Sequence, residues 1–286
     1  MFSLSSPLAV VCHDAGAANL ILPWLKDWKG EVQPYMLGPA TKLWNAYFPN
    51  SPLKNSLNDA LRGCETLLSG TGWATSLEHD ARVMAKELKI KSVAVIDHWA
   101  NYSMRFKRND LIQLPDEIWV TDEEALFIAK KEFPNVPISV HLNVYLNEQL
   151  AKIGPPPRLD NVLYVLEPVR NDWGCGKAGE FQALEFALEN LHHLSDNNNL
   201  SVILRPHPSE TSDKYHAYLK QYPFIKLDEI QDLAASISKA DIVIGVESFA
   251  LVVALKAGRH VYSTLPPHAP KFVLPYSEIK QLRHIL

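Results

Sequence analysis

Short apolar runs alternate with segments of helical periodicity along the whole chain. In the first half "LAVVC", "VQPYML", "CETLLSG", "KSVAVID", "EIWVTD" and "ISVHL" read as buried strands, and "AANLILPWLKDW", "TSLEHDARVMAKEL" and "EEALFIAKKEF" read as the helices between them. Such alternation predicts βαβ units on a parallel sheet. Thr75 and Glu78 have the spacing of a capping box and predict a helix over Leu77–Leu88.

The pattern breaks once, at "AKIGPPPRLDN" (residues 151–161), where consecutive prolines after a glycine cannot continue a helix or a central strand and make a stiff spacer. It then restarts with "NVLYVLEP", "GEFQALEFALENLHHL", "LSVILRPHP", "SDKYHAYLKQY", "FIKL", "IQDLAASISKA", "DIVIGVES", "FALVVALKAG" and "HVYST". Two α/β domains are expected, 1–152 and 153–286. Leu184, Ala187, Leu188 and Leu191 share one helical face and belong to the second core.

Composition narrows the class. The 286 residues are 47% hydrophobic and 21% charged, as in a soluble α/β protein. A net charge of −4 and no basic run give no reason to bind nucleic acid. The three cysteines, Cys12, Cys64 and Cys175, are too scattered for a disulfide framework or a zinc site, so no metal is expected. The apolar start is short, lacks a basic flank and contains Asp14, so it reads as a first strand rather than a signal peptide. A cytoplasmic location is expected; composition leaves open a peripheral contact with the inner membrane face, and the oligomeric state is not legible.

Ligands of open parallel sheets bind beyond the carboxyl ends of the strands. In the second half those ends carry Glu167 with Pro168; Arg205, Pro206, His207 and Pro208; Glu247 with Ser248; and Ser263 with Thr264. Pro208 and Ser209 read as the opening of a helix, whose amides together with the His207 imidazole suit a phosphate. Ser248, between a strand and the helix "FALVVALKAG", either caps that helix or donates to a second phosphate oxygen. Glu247 would repel phosphate, and more plausibly accepts from ribose hydroxyls or from Arg205. "GCGKAG" meets the letter of a dinucleotide fingerprint, but it does not follow a strand end directly and the next strand ends in Arg205 rather than an acid. A flexible loop covering the ligand is the better reading.

Arg205 to Pro208, followed downstream by Glu247 and Ser248, resembles the His-Pro motif and following serine of GT-B-type glycosyltransferases. The similar groups are bacterial sialyltransferases and polysialyltransferases, Kdo transferases and the CDP-glycerol polymerases. The resemblance implies two Rossmann-like parallel-sheet domains facing across a cleft, an acceptor-side domain first and a nucleotide-donor domain second. It implies a cytidine-nucleotide donor, CMP linked to a sialic-acid-like nonulosonate before CDP-linked polyols, with inversion at the anomeric centre and no metal or separate cofactor. Carried over, it assigns His207 and Ser248 to the phosphate and Glu167 or Glu247 to ribose or base, with Arg205 and Pro208 among the residues expected to bind the nucleotide. The acidic triplet with glycine that carries the base in several sialyltransferases is absent, which leaves the base undetermined.

Transfer also needs a group that deprotonates the acceptor, a hydroxyl on a glycan or other molecule. In the first half His13 and Asp14 end the first strand, and Asp97 and His98 end the strand "VAVI". Asp97 or Asp14 is the candidate base, with His98 and His13 as orienting partners or substitutes. Each has a structural alternative: Asp14 as a helix cap, His98 with Trp99 as a core corner. His79 is expected at the surface, and His192 and His193 merely near a helix end. Rival functions are a UDP-sugar epimerase or hydrolase of the same fold, and a non-catalytic module that binds sugar nucleotides.

Overall fold

The computed structural model describes residues 4–72, 75–157, 161–169, 171–195, 200–211 and 213–286. Trp73 and Ala74 of the glycine-punctuated loop, residues 158–160 of the spacer and 196–199 of "SDNNN" therefore lie outside the described residues. The chain divides into two compact units, Met1–Tyr145 and Leu146–Leu286.

The first unit runs β1 (Leu8–Cys12), α1 (Ala15–Leu25), β2 (Val32–Met36), α2 (Gly38–Tyr47), α3 (Leu57–Leu61), β3 (Thr66–Ser69), α4 (Leu77–Glu87), β4 (Lys91–Val95), a hairpin of β5 (Lys107–Arg108) and β6 (Leu111–Ile112), β7 (Glu117–Val120), α5 (Glu123–Glu132), β8 (Ile138–Val140) and the start of α6 (Val144–Lys152). The six long strands form a parallel sheet in the order β2-β1-β3-β4-β7-β8. Alternate side chains of β1 serve opposite faces: Leu8, Val10 and Cys12 join α1 and α2, while Ala9 and Val11 join Leu61, Ala81 and Ala85 of α3 and α4. Helix α5 starts where the Asp122 carboxylate accepts the Ala125 N–H at 2.6 Å, and its charges, Glu123 and Glu124 first and Lys130 and Lys131 last, complement the helix dipole.

The second unit contains the rest of α6, then β9 (Asn161–Val165), α7 (Gly179–Glu189), β10 (Ser201–Arg205), α8 (His216–Gln221), β11 (Ile225–Leu227), α9 (Leu233–Ser238), β12 (Ile242–Gly245), α10 (Phe249–Lys256), β13 (His260–Ser263) and β14 (Lys280–Gln281). Its sheet is also parallel, in the order β11-β10-β9-β12-β13-β14. Val162, Tyr164, Val202, Leu204, Ile242 and Ile244 share one core cluster with the predicted Leu184, Ala187 and Leu188 of α7 and with Leu191 just beyond it.

In each sheet the chain winds outward from its first strand and then returns to that strand's other side. Strand order therefore reverses between β1 and β3 in the first unit and between β9 and β12 in the second. Helices diverge at such points and leave a crevice beyond the strand ends.

Three local expectations fail. Residues 208 and 209 form a turn, and the next helix, α8, begins only at His216, so no helix terminus supports His207. Thr75 and Glu78 do not close a capping box; the cap position of α4 is Ser76, and the Glu78 side chain leaves the helix altogether. His79 is 3% exposed rather than at the surface. Among the described residues no helix is long and apolar enough to cross a membrane.

Candidate functional site

In the second unit the ends of three adjacent strands, β10, β9 and β12, carry His207, Glu167, and Glu247 with Ser248. The carboxyl of Glu167 accepts the Glu247 backbone N–H at 2.8 Å, tying the end of β9 to that of β12 across the switch point. Burial, opposed by that N–H and reinforced by Glu247 and Glu210, pushes Glu167 up to about 8. The Glu247 carboxyl accepts the Val273 N–H at 2.8 Å and is likewise raised by burial. Glu167 thus stands at the crevice with its charge suppressed near pH 7, and burial shifts Glu247 in the same direction.

Ser248 is the cap residue of α10, yet its side chain makes no capping bond, and its Oγ is buried without a hydrogen-bond partner among the described residues. Neither half of the sequence alternative, cap or ligand donor, is thus exercised within the protein. A buried hydroxyl left unpaired is unfavourable by about 1–3 kcal/mol, and an acceptor brought by a ligand would relieve it. The helix N-terminus behind it adds positive potential.

His207 is held by its neighbours. Glu210 Oε2 accepts its backbone N–H at 2.9 Å, the Ser209 N–H donates to Nδ1 at 3.2 Å, and Ser209 Oγ lies 2.7 Å from the same nitrogen. Nδ1 therefore accepts, and the proton of the neutral ring sits on Nε2. Desolvation by the surrounding chain, partly offset by Glu210, lowers the imidazole from its ordinary value, so the ring is a neutral Nε2–H donor near pH 7. Glu210 is itself fixed by Lys214 and by the Tyr215 hydroxyl at 3.0 Å.

Arg205, expected among the nucleotide-binding residues, is engaged within the second unit instead. Its guanidinium donates to Asp228 Oδ2 at 2.6 Å, to the Ile230 and Gln231 carbonyls and to Ser236 Oγ, which consumes it in holding the segment between β11 and α9. Pro208 only continues the turn after His207. The "GCGKAG" segment is a turn in which Asp172 accepts the Gly174 and Gly176 N–H groups at 3.0 and 3.2 Å. Val169, Trp173 and Phe272 pack on Val246 and Leu265 and provide apolar surface beside Glu247.

In the first unit, His13 and Asp14 follow β1 at its switch point. His13 Nδ1 and Asp14 Oδ1 lie 2.7 Å apart, and Glu78 Oε1 accepts the His13 backbone N–H at 2.8 Å. Glycines close the packing around this pair. Gly38 has φ +51°, and a Cβ there would stand 2.6 Å from His13 Nε2; a Cβ on Gly72 would stand 2.1 Å from Asp14 Oδ2. Backbone handedness and space both require glycine at 38. Asp14 begins α1 without capping it, so its carboxylate answers to His13 rather than to the helix.

Asp97 is engaged differently. Oδ1 receives Arg105 Nη1 at 2.7 Å, and Oδ2 lies where a Cβ on Gly16 would be 1.8 Å away. Arg105 also donates to Thr71 Oγ1 at 3.1 Å, and Thr71 in turn donates to the Val95 carbonyl, so the Asp97 pair locks the ends of β3 and β4 together. Trp99 Nε1 donates to Asp122 at 3.0 Å and is 6% exposed, which is the core-corner arrangement; His98 lies half-buried against the Trp99 ring. Sequence reasoning did not single out Arg105 as a locking residue, nor Glu210 or the close approach of Gly72 to Asp14.

No family model matches the chain, and no curated protein matches it. Solved structures do. A "putative UDP-N-acetylglucosamine 2-epimerase" from Listeria monocytogenes is similar with TM-score 0.56 at 16% identity, over 89% of this chain and 78% of that one. The glycotransferase of kitacinnamycin is similar with TM-score 0.51 at 13% identity, over 92% and 80%. Two parallel α/β units in succession, each wound on both faces of its sheet, make this a GT-B fold.

Proposed function

We propose that the protein is a glycosyltransferase that takes a sugar from a cytidine-nucleotide donor, first of all a CMP-linked nonulosonate, and passes it to a hydroxyl acceptor. The observation that carries this reading is the buried, unpartnered Oγ of Ser248 at the start of α10, beside the β9/β12 switch point. The donor phosphate accepts from Ser248 Oγ and His207 Nε2, and from the protonated carboxyl of Glu167. Glu247 takes the ribose, and the apolar surface of Val169, Trp173 and Phe272 takes the base. Such fixed donors stabilise the charge that grows on a departing phosphate.

In the first unit Asp14, steadied by the Nδ1–H of His13, accepts the proton of the acceptor hydroxyl. The acceptor oxygen attacks the anomeric carbon, the bond from that carbon to the phosphate oxygen breaks with inversion, and its electron pair leaves with CMP. General-base assistance of this kind is worth about 10²–10⁴ in rate.

The test is incubation with CMP-sialic acid and, separately, UDP-N-acetylglucosamine, following nucleotide release by NMR. CMP released only in the presence of a glycan acceptor supports transfer. UDP released in water, or an epimerised sugar, would replace it with the epimerase or hydrolase reading that the Listeria protein's name suggests. Binding without turnover would leave a sugar-nucleotide-binding module.

A further inference from the structure

Glu78 is the most secluded carboxyl of the first unit: it is 0% exposed, one residue into α4, on a helix whose exposed face would offer it water. Its side chain turns instead across the switch point. Oε1 accepts the His13 N–H at the end of β1, while Oε2 is buried without a partner among the described residues. Burial keeps the group above the ordinary carboxylate range, with the Asp14 charge adding to the effect and Arg82 opposing it. Arg82, one turn further on and fully buried, donates to the Gly70 carbonyl at 3.1 Å, so α4 grips the ends of both β1 and β3. A buried carboxyl with one oxygen unsatisfied is costly to stability, and the fold needs no acid to start α4.

We infer that Glu78 is the positioning residue of the acceptor base: by fixing the His13 main chain it sets the imidazole so that Nδ1–H meets Asp14 and turns that carboxylate toward Gly72. The inference rests on Asp14 acting as the base. The chain of contacts is continuous. Glu78 holds His13 N at 2.8 Å, His13 Nδ1 holds Asp14 Oδ1 at 2.7 Å, and Asp14 Oδ2 stands against Gly72. The ring has no room to settle elsewhere, because Gly38 closes on its Nε2. Glu78 touches no reacting atom; it acts through His13.

The test compares Glu78→Gln, Glu78→Asp and Glu78→Ala in the full chain. Two readouts are taken: initial rates with CMP-sialic acid and a glycan acceptor, and the His13 tautomer by long-range ¹H–¹⁵N NMR. Glutamine keeps an acceptor oxygen in place and should preserve both the rate and the Nδ1–H tautomer. Aspartate, too short to reach His13 N, should lower kcat about 10- to 100-fold with the donor KM unchanged, and the Nδ1–H signal should be lost; alanine should do the same if it folds. A folded Glu78→Asp that keeps both the tautomer and kcat overturns the inference. Failure of the base assignment looks different: Asp14→Asn would retain full activity while Glu78→Asp still disturbs the His13 tautomer.

Discussion

The Glu167 carboxyl and the Glu247 backbone N–H meet at 2.8 Å across the point where the second sheet reverses its strand order. Because burial pushes Glu167 up to about 8, far above a free glutamate, the folded protein holds a proton there that the unfolded chain has released. Between about pH 4.5 and 8 the folded state binds more protons, so stability must fall as pH rises, by up to about 1.4 kcal/mol per pH unit for a single group. Urea unfolding at pH 5, 6.5 and 8 is expected to show that slope in the wild type and a shallower one in Glu167→Gln. Nucleotide affinity should likewise weaken as pH passes 8 in the wild type, when a donor O–H becomes a repelling carboxylate, and stay level in Glu167→Gln.

Ser248→Ala separates function from stability. The hydroxyl makes no hydrogen bond among the described residues, so its loss removes none of the hydrogen bonds they form. The melting temperature should hold or rise, since about 1 kcal/mol or more of unsatisfied burial disappears. CMP binding measured by calorimetry should weaken by about 1.5–3 kcal/mol, the range for a hydrogen bond to a charged acceptor. A drop in melting temperature without a change in affinity would return Ser248 to a structural role.

For His207 the neutral Nε2–H donor predicts an effect of the same size. His207→Ala should weaken CMP by about 1.5–3 kcal/mol, as expected for a bond to a charged acceptor. His207→Gln, which keeps an N–H donor, should recover part of that. Because the ring is already neutral near pH 7, wild-type affinity should not change between pH 7 and 8 on account of this residue.

How far the sequence reveals these sites follows from the range of the interactions. Alternation of apolar runs is a local property, and it locates the strands and hence the strand ends His13, Asp97, Glu167, His207 and Glu247, because parallel sheets leave polar groups only where strands stop. What those side chains hold depends on partners distant in sequence. Glu78 has the spacing of a local cap, but His13 N, 65 residues away, wins its carboxyl. Arg205 looks like a nucleotide ligand because nothing in its neighbourhood shows Asp228 or the carbonyls of 230 and 231 arriving beside it. Pro208 is compatible with a helix start, and a turn is equally compatible with it; Ser209 bonding the His207 ring favours the turn. A common device emerges only in three dimensions. In each unit a strand-end histidine has its backbone N–H held by a glutamate, Glu78 or Glu210, and its Nδ1 held by the side chain of Asp14 or Ser209.

Asp14 and Asp97 are alike in sequence and should part company in experiment. Asp97 has one oxygen on Arg105, a residue 7% exposed, and the other against Gly16, so Asp97→Asn weakens a bond to a buried cation. Loss of a charged hydrogen bond of this kind is expected to lower unfolding free energy by about 1.5–3 kcal/mol, with any loss of turnover following the loss of folded protein. Among the described residues Asp14 hydrogen-bonds only to His13 and packs against Gly72, and it makes no capping bond to α1. Asp14→Asn should therefore leave the melting curve nearly unchanged and CMP affinity intact, yet reduce kcat by about 10²–10⁴ as the general base is removed. The decisive comparison is kcat per folded molecule, from rates normalised by circular dichroism: a large drop for Asp97→Asn with a normal rate for Asp14→Asn would move the base to Asp97.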